Sequence, residues 1–165
     1  MICTETAYDE DFGAFGMGYA TQNASTWQDE LYIANAEQLA RLDTDSWSIT
    51  AIGGLPSQAE LTGNGEGELW AILPLESPAQ LVHLNKENAQ IQNTIYIPQF
   101  PDPHGLDTFA FATWGGDFWL FVRSYGLGST TDVYRVEPDG TFTMFEEDTG
   151  MDVVGAGVST CASED

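Results

Sequence analysis

Glu30-Leu31-Tyr32, Glu68-Leu69-Trp70 and Asp117-Phe118-Trp119 are three copies of one acidic–apolar–aromatic triplet. Each copy is followed by an echo: Leu39-Ala40-Arg41-Leu42-Asp43, Leu81-Val82-His83-Leu84-Asn85 and Val133-Tyr134-Arg135-Val136-Glu137. Alternation of this kind puts the first and third residues of a triplet on one face of a strand. A unit that recurs at this length is the signature of an array or a propeller.

Working outward, each unit reads as four strands, a to d. In the first unit strand a falls within 14–21, where Phe15, Met17 and Tyr19 alternate with Gly16 and Gly18. Glycines spaced in this way signal close approach of a neighbouring backbone. Strands follow at 30–35, 38–43 and 47–52, with a turn at Asp43-Thr44-Asp45-Ser46. The second unit repeats them at 60–62, 68–73, 80–85 and 89–97, and the third at 108–113, 117–123, 131–137 and 141–146. Leu42 to Ile49 and Leu84 to Ile91 are the same interval, which matches the c–d hairpins of two units. Residues 153–160 read as a fourth strand a, and residues 2–6 as a strand in an N-terminal arm.

The expected fold is therefore all-β and β-propeller-like, one domain over 1–165. It has three four-stranded antiparallel blades (14–55, 56–100 and 104–148) and a closing strand at 152–161. Three blades do not obviously make a ring. The C-terminal strand either closes it by pairing with the N-terminal arm, or two chains join head to tail into a six-bladed ring.

Val153-Val154-Gly155-Ala156-Gly157-Val158-Ser159-Thr160-Cys161 resembles the tail of uncharacterised secreted proteins from myxobacteria and their relatives. Ala110-Phe111-Ala112-Thr113-Trp114-Gly115-Gly116-Asp117-Phe118-Trp119 resembles them too. The resemblance implies an exported, propeller-like domain, commonly beside a lipoprotein anchor, with no established activity and no functional residues to transfer.

The charge narrows the partners. Twenty-six acidic residues against four basic ones give −22, which argues against nucleic acid and anionic membrane surfaces as partners. Salt adaptation, solubility, cationic partners and divalent ions all fit that charge. No apolar run is long enough to span a membrane. Cys3 and Cys161, the two cysteines, stand at opposite ends of the chain. The expectation is a disulfide joining them, worth about 5 kcal/mol by chain entropy. It would place the protein in an oxidising compartment, hence extracellular, periplasmic or at the cell surface. The alternative is two unrelated thiols.

Few residues suggest chemistry. Arg41, His83 and Arg135 share one position on strand c. Either each pairs with the acid of its own triplet (Glu30, Glu68, Asp117), or together they form a ring of cations that binds an anion. Tyr32, Trp70 and Trp119 read as inter-sheet core. Trp27 and Trp114 lie beside a–b turns, as loop anchors or as surfaces for a sugar ring or a protein. Acidic turns such as Asp43/Asp45 and Glu146/Glu147/Asp148 are compatible with Ca²⁺, but none fits the EF-hand loop. His83 and His104 lack zinc spacing, and no nucleophile elbow or phosphate loop is present.

The expected function is a non-catalytic binding or scaffolding module without cofactor, monomeric or homodimeric, with a protein or glycan ligand. Two alternatives stand beside it: a metal-assisted hydrolase or lyase with a ring-centre site, and a self-assembling structural subunit that donates a terminal strand.

Overall fold

The computed structural model describes residues 12–22, 28–126 and 129–162. These form three four-stranded antiparallel sheets, each a simple meander. Sheet I holds β1 (Gly16–Thr21), β2 (Asp29–Ala34), β3 (Gln38–Leu42) and β4 (Ile49–Gly54). Sheet II holds β5 (Glu60–Gly63), β6 (Leu69–Leu73), β7 (Ala79–Leu84) and β8 (Ile91–Ile97). Sheet III holds β9 (Leu106–Trp114), β10 (Asp117–Ser124), β11 (Asp132–Val136) and β12 (Phe142–Glu146). One 3-10 turn, Pro103–Gly105, leads into β9; its start is capped by the Asp102 carboxylate, which accepts from the His104 N–H.

The meander form follows from the hairpin chemistry. The Asp43 carboxylate accepts from the N–H groups of Asp45 and Ser46, at 3.0 and 2.7 Å. Asn85 holds Glu87 N–H in the same way at 2.8 Å. These side chains fold the chain back on itself before the next strand. Trp47 N–H then donates to Asp43 O, and Ala89 N–H to Asn85 O, both at 2.8 Å. Trp47 and Ala89 both sit at φ 60°, and Gly140 at 89° fills that role in the shorter third turn. The equal intervals noticed in the sequence are two copies of one turn.

The sheets stack through their first strands: β1 packs on β5, and β5 on β9. Among the described residues, no element of sheet I packs comparably on sheet III. Backbone contact at the first junction requires glycine. A Cβ on Gly18 would lie 2.9 Å from the Leu61 carbonyl carbon, and one on Gly16 would meet the Ala59 carbonyl oxygen.

Alternating side chains fill the junctions. Between sheets I and II lie Tyr32, Ala34 and Leu39 against Leu61, Leu69, Leu73 and Val82. Between II and III lie Ile72, Leu81 and Ile97 against Phe111, Phe118, Leu120 and Val136. A third cluster, Leu31, Ile33, Ala40 and Leu42, lies on the far face of sheet I beneath Phe12 and Phe15.

The C-terminal segment corrects the sequence reading. Residues 152–159 form no strand, and no fourth sheet or closed ring is present among the described residues. The segment is an extended strap from sheet III to sheet I. Asp152 is tied to Arg123 at 2.8 Å, and Val153 N–H donates to Thr131 Oγ1 at 2.9 Å. At its far end Thr160 donates to Asp29 at 2.6 Å. Side-chain anchors at both ends replace a ladder, and Gly155 and Gly157 bring no side chain to pack. The expected disulfide is not seen either: Cys161 is an exposed free thiol, and Cys3 lies outside the described residues. The strand expected at 2–6 also lies outside them.

Candidate functional site

The triplets explain their own acid. On one strand face, residue i and residue i+2 are neighbours. The Tyr32 hydroxyl donates to Glu30 at 2.7 Å, and Trp70 Nε1 donates to Glu68 at 3.2 Å. Each carboxylate thus satisfies the polar tip of an aromatic that buries its ring between sheets. Burial, reinforced by Glu30, holds the Tyr32 hydroxyl well above its ordinary titration range. Asp117 is one methylene shorter than Glu. Trp119 Nε1 donates instead to the Trp114 carbonyl at 3.1 Å, while Asp117 binds Arg135 at 2.6 Å.

The shared basic position has two solutions. Arg41 pairs with Glu30 at 2.9 Å, and Arg135 with Asp117 at 2.6 Å and Glu137 at 3.5 Å. His83 has no ion pair with Glu68; its ring stacks on Trp70 at 5.0 Å and 19°. The remaining two cations are also engaged. Lys86 donates to the carbonyls of Thr21 and Gln22, at 2.7 and 3.0 Å, and Arg123 bridges Asp107 and Asp152. The ring of anion-binding cations is therefore not assembled, since Arg41, His83 and Arg135 each serve their own sheet.

The aromatic position of the triplet shows where the molecule is open. Each aromatic faces the next sheet along the stack. Tyr32 is 2% exposed beneath sheet II. Trp70 packs on sheet III, its ring 4.8 Å from that of Phe118. Trp119 lies on the opposite face of β10 from Phe118, Leu120 and Val122, the residues buried on sheet II. No sheet follows. Trp119 is half-buried and meets the Phe145 ring edge-on at 5.0 Å, and Phe145 itself is 62% exposed.

Trp114, at the end of β9, is also 62% exposed. With Ala112, Trp119 and Phe121 it walls a groove of about 370 Å³, closed on one side by Gly157 and Val158 of the strap. Of the two tryptophans singled out in the sequence, Trp114 lies at this groove and Trp27 falls outside the described residues. Sequence reading missed Phe121 and Phe145; the signal for Phe121 was its alternation with the buried Leu120 and Val122.

A second concavity, about 300 Å³, is lined by Asp29, Glu30, Arg41, Asp43 and Asp45. Hydrogen bonds from Ser46 and Asp45 hold the Asp43 carboxyl below its ordinary range. Among the described residues, no three His, Cys, Asp or Glu side chains are grouped so as to hold a metal ion. Glu60, on the innermost strand of sheet II, has its carboxyl pushed up to about 7 by burial. Among the described residues, no helix is long and apolar enough to cross a membrane. Compared with known proteins, the chain matches no family model and no curated protein.

Proposed function

We propose that this chain is a non-catalytic, exported binding or scaffolding module, built as three propeller-like blades, that takes a protein ligand on the open face of sheet III. The observation that carries this is the pair Trp114 and Phe145, both 62% exposed, flanking Trp119 and Phe121 on one contiguous face. Contiguous exposed aromatics beside a groove mark interaction surfaces, whereas scattered ones do not. A protein ligand is favoured over a glycan. Sugar recognition needs free hydrogen-bonding groups beside the ring, and the Trp119 N–H is already given to Trp114 O. Export rests on the resemblance of residues 110–119 and 153–161 to secreted proteins.

The test is a displayed random-peptide library panned against the wild-type chain and the Trp114→Ala/Phe145→Ala variant, with a glycan array alongside. The expected result is enrichment of peptides with apolar anchors by the wild type alone. Enrichment unchanged in the variant, or binding confined to glycans, would overturn the reading.

A further inference from the structure

We infer that the open face of sheet III is a site for an extended peptide with a basic residue at each end and apolar residues between. The inference rests on the reading of that face as a protein-docking surface, and names the chemistry of its ligand.

The first argument is the order of side chains along β10. Asp117, Trp119, Phe121 and Arg123 alternate with the buried Phe118, Leu120 and Val122, so the four share the open face. Register sets Trp114 opposite Asp117, and Ala112 and Arg135 on either side of Trp119. The small Ala112 lies in the floor of the groove of about 370 Å³ between Trp114, Trp119, Phe121 and the strap. The face is therefore apolar in its middle and charged at both ends.

The second argument is the sign of that charge. Each end holds one arginine and two carboxylates: Arg135 with Asp117 and Glu137, and Arg123 with Asp107 and Asp152. Each end thus has one carboxylate in excess. At the Arg123 end the outermost group is acidic too, since the Asp152 side chain is 59% exposed and its arginine 22%. Glu146 and Glu147, exposed beside Phe145, carry the same sign. An acidic ligand is repelled at both ends, whereas a basic one meets an uncompensated carboxylate at each. The exposed rings of Trp114 and Phe145 add to this, because an aromatic face attracts a cation.

The third argument is length. Six strand steps of about 3.3 Å separate residues 117 and 123, so the charged ends stand roughly 20 Å apart. A small cation cannot reach both. An extended peptide can, and every second side chain of it faces the same way, which is the period of the face itself. The matching ligand has about seven residues, basic at its first and last and apolar at its third and fifth. The pattern reads the same from either end, so it leaves the direction of the ligand open.

The test is an anisotropy titration of the full chain against a dye-labelled peptide of about seven residues, Lys-Ser-Phe-Ser-Leu-Ser-Lys. Three relatives run beside it: one with both lysines replaced by glutamate, one with phenylalanine and leucine replaced by serine, and a scramble with the lysines adjacent. The expected result is binding of the first peptide and at least several-fold weaker binding of each relative. Affinity for the first should fall as NaCl rises from about 0.1 to 1 M, as screening shortens from about 10 to 3 Å. Glu137→Gln and, separately, Asp152→Asn should weaken it several-fold, and Trp114→Ala/Phe145→Ala should abolish it. Asp45→Asn, in the acidic concavity of sheet I, makes the same change of charge elsewhere and should leave it unchanged. Circular dichroism confirms that each variant is folded. No binding of the first peptide, equal binding of the glutamate-ended one, or equal losses for Asp45→Asn and Glu137→Gln would overturn the inference. Library peptides that need Trp114 and Phe145 yet carry no basic residue would overturn it too, while leaving the docking reading standing.

Discussion

Tyr32 and Trp119 occupy the same position in their sheets, and they end in opposite environments. Tyr32 lies beneath sheet II, its hydroxyl held by Glu30. Trp119 looks outward across Phe145, its N–H turned back to the Trp114 carbonyl. The difference teaches that a strand's alternation decides which residues share a face, while the neighbouring sheet decides whether that face is core or surface. Repeats therefore encode faces, and the last repeat inherits one that no further sheet covers among the described residues.

That contrast can be broken most severely at the sealed end. Gly18→Ala places a methyl 2.9 Å from the Leu61 carbonyl carbon, and the β1–β5 backbones must part to admit it. Together with Phe118→Ala at the second junction, it should show the largest losses, about 3–5 kcal/mol for Phe118→Ala by urea unfolding. Phe145→Ala, on the open face, should change stability by less than about 1 kcal/mol despite removing the same side chain. Equal losses for the two phenylalanines would erase the distinction between the faces.

Next comes a pH effect at the inner strand. Burial raises the Glu60 carboxyl from an ordinary 4.5 to about 7 in the folded chain. Between those values the unfolded chain sheds the proton that the folded chain keeps. Stability therefore falls as pH rises through 4.5 to 7 and is level above. The loss should be about 2 kcal/mol once partial exposure is allowed for. Glu60→Gln should flatten that part of the urea-midpoint profile and be the more stable protein at pH 8. A variant with the wild-type slope would remove Glu60 as its source.

Smaller effects sharpen the triplet. Tyr32→Phe deletes the hydroxyl bonded to Glu30 and should cost about 1 kcal/mol. Arg41→Met breaks an ion pair whose arginine is half exposed and should cost under about 1 kcal/mol. If Arg41→Met proved the costlier of the two, the acid of the triplet would serve the cation before the aromatic.

The strands were legible because alternation and turn chemistry agree. Asp43 and Asn85 announce the same hairpin, and Gly16 and Gly18 announce the close backbone approach that β5 makes. What was not legible depends on partners distant in sequence. Residues 153–160 read like a strand, yet side-chain anchors at Arg123, Thr131 and Asp29 hold them as a strap between two sheets. His83 aligns with two arginines but stacks on Trp70, because a wide aromatic lies opposite it and Glu68 is committed to the indole and to Asn64. The open groove at Trp114 was half legible: the tryptophan drew notice, but whether Phe121 and Phe145 are core or surface depends on whether another sheet packs on theirs, which no local pattern states.

Hydroxyl-radical footprinting of the dilute monomer tests most directly whether sheet III ends the stack. Trp114 and Phe145 should oxidise fast, Trp70 slowly, and Tyr32 and Phe118 least of all. Protection of Trp114 and Phe145 to the level of Tyr32 in a verified monomer would mean that another part of the chain covers this face, contradicting an open end.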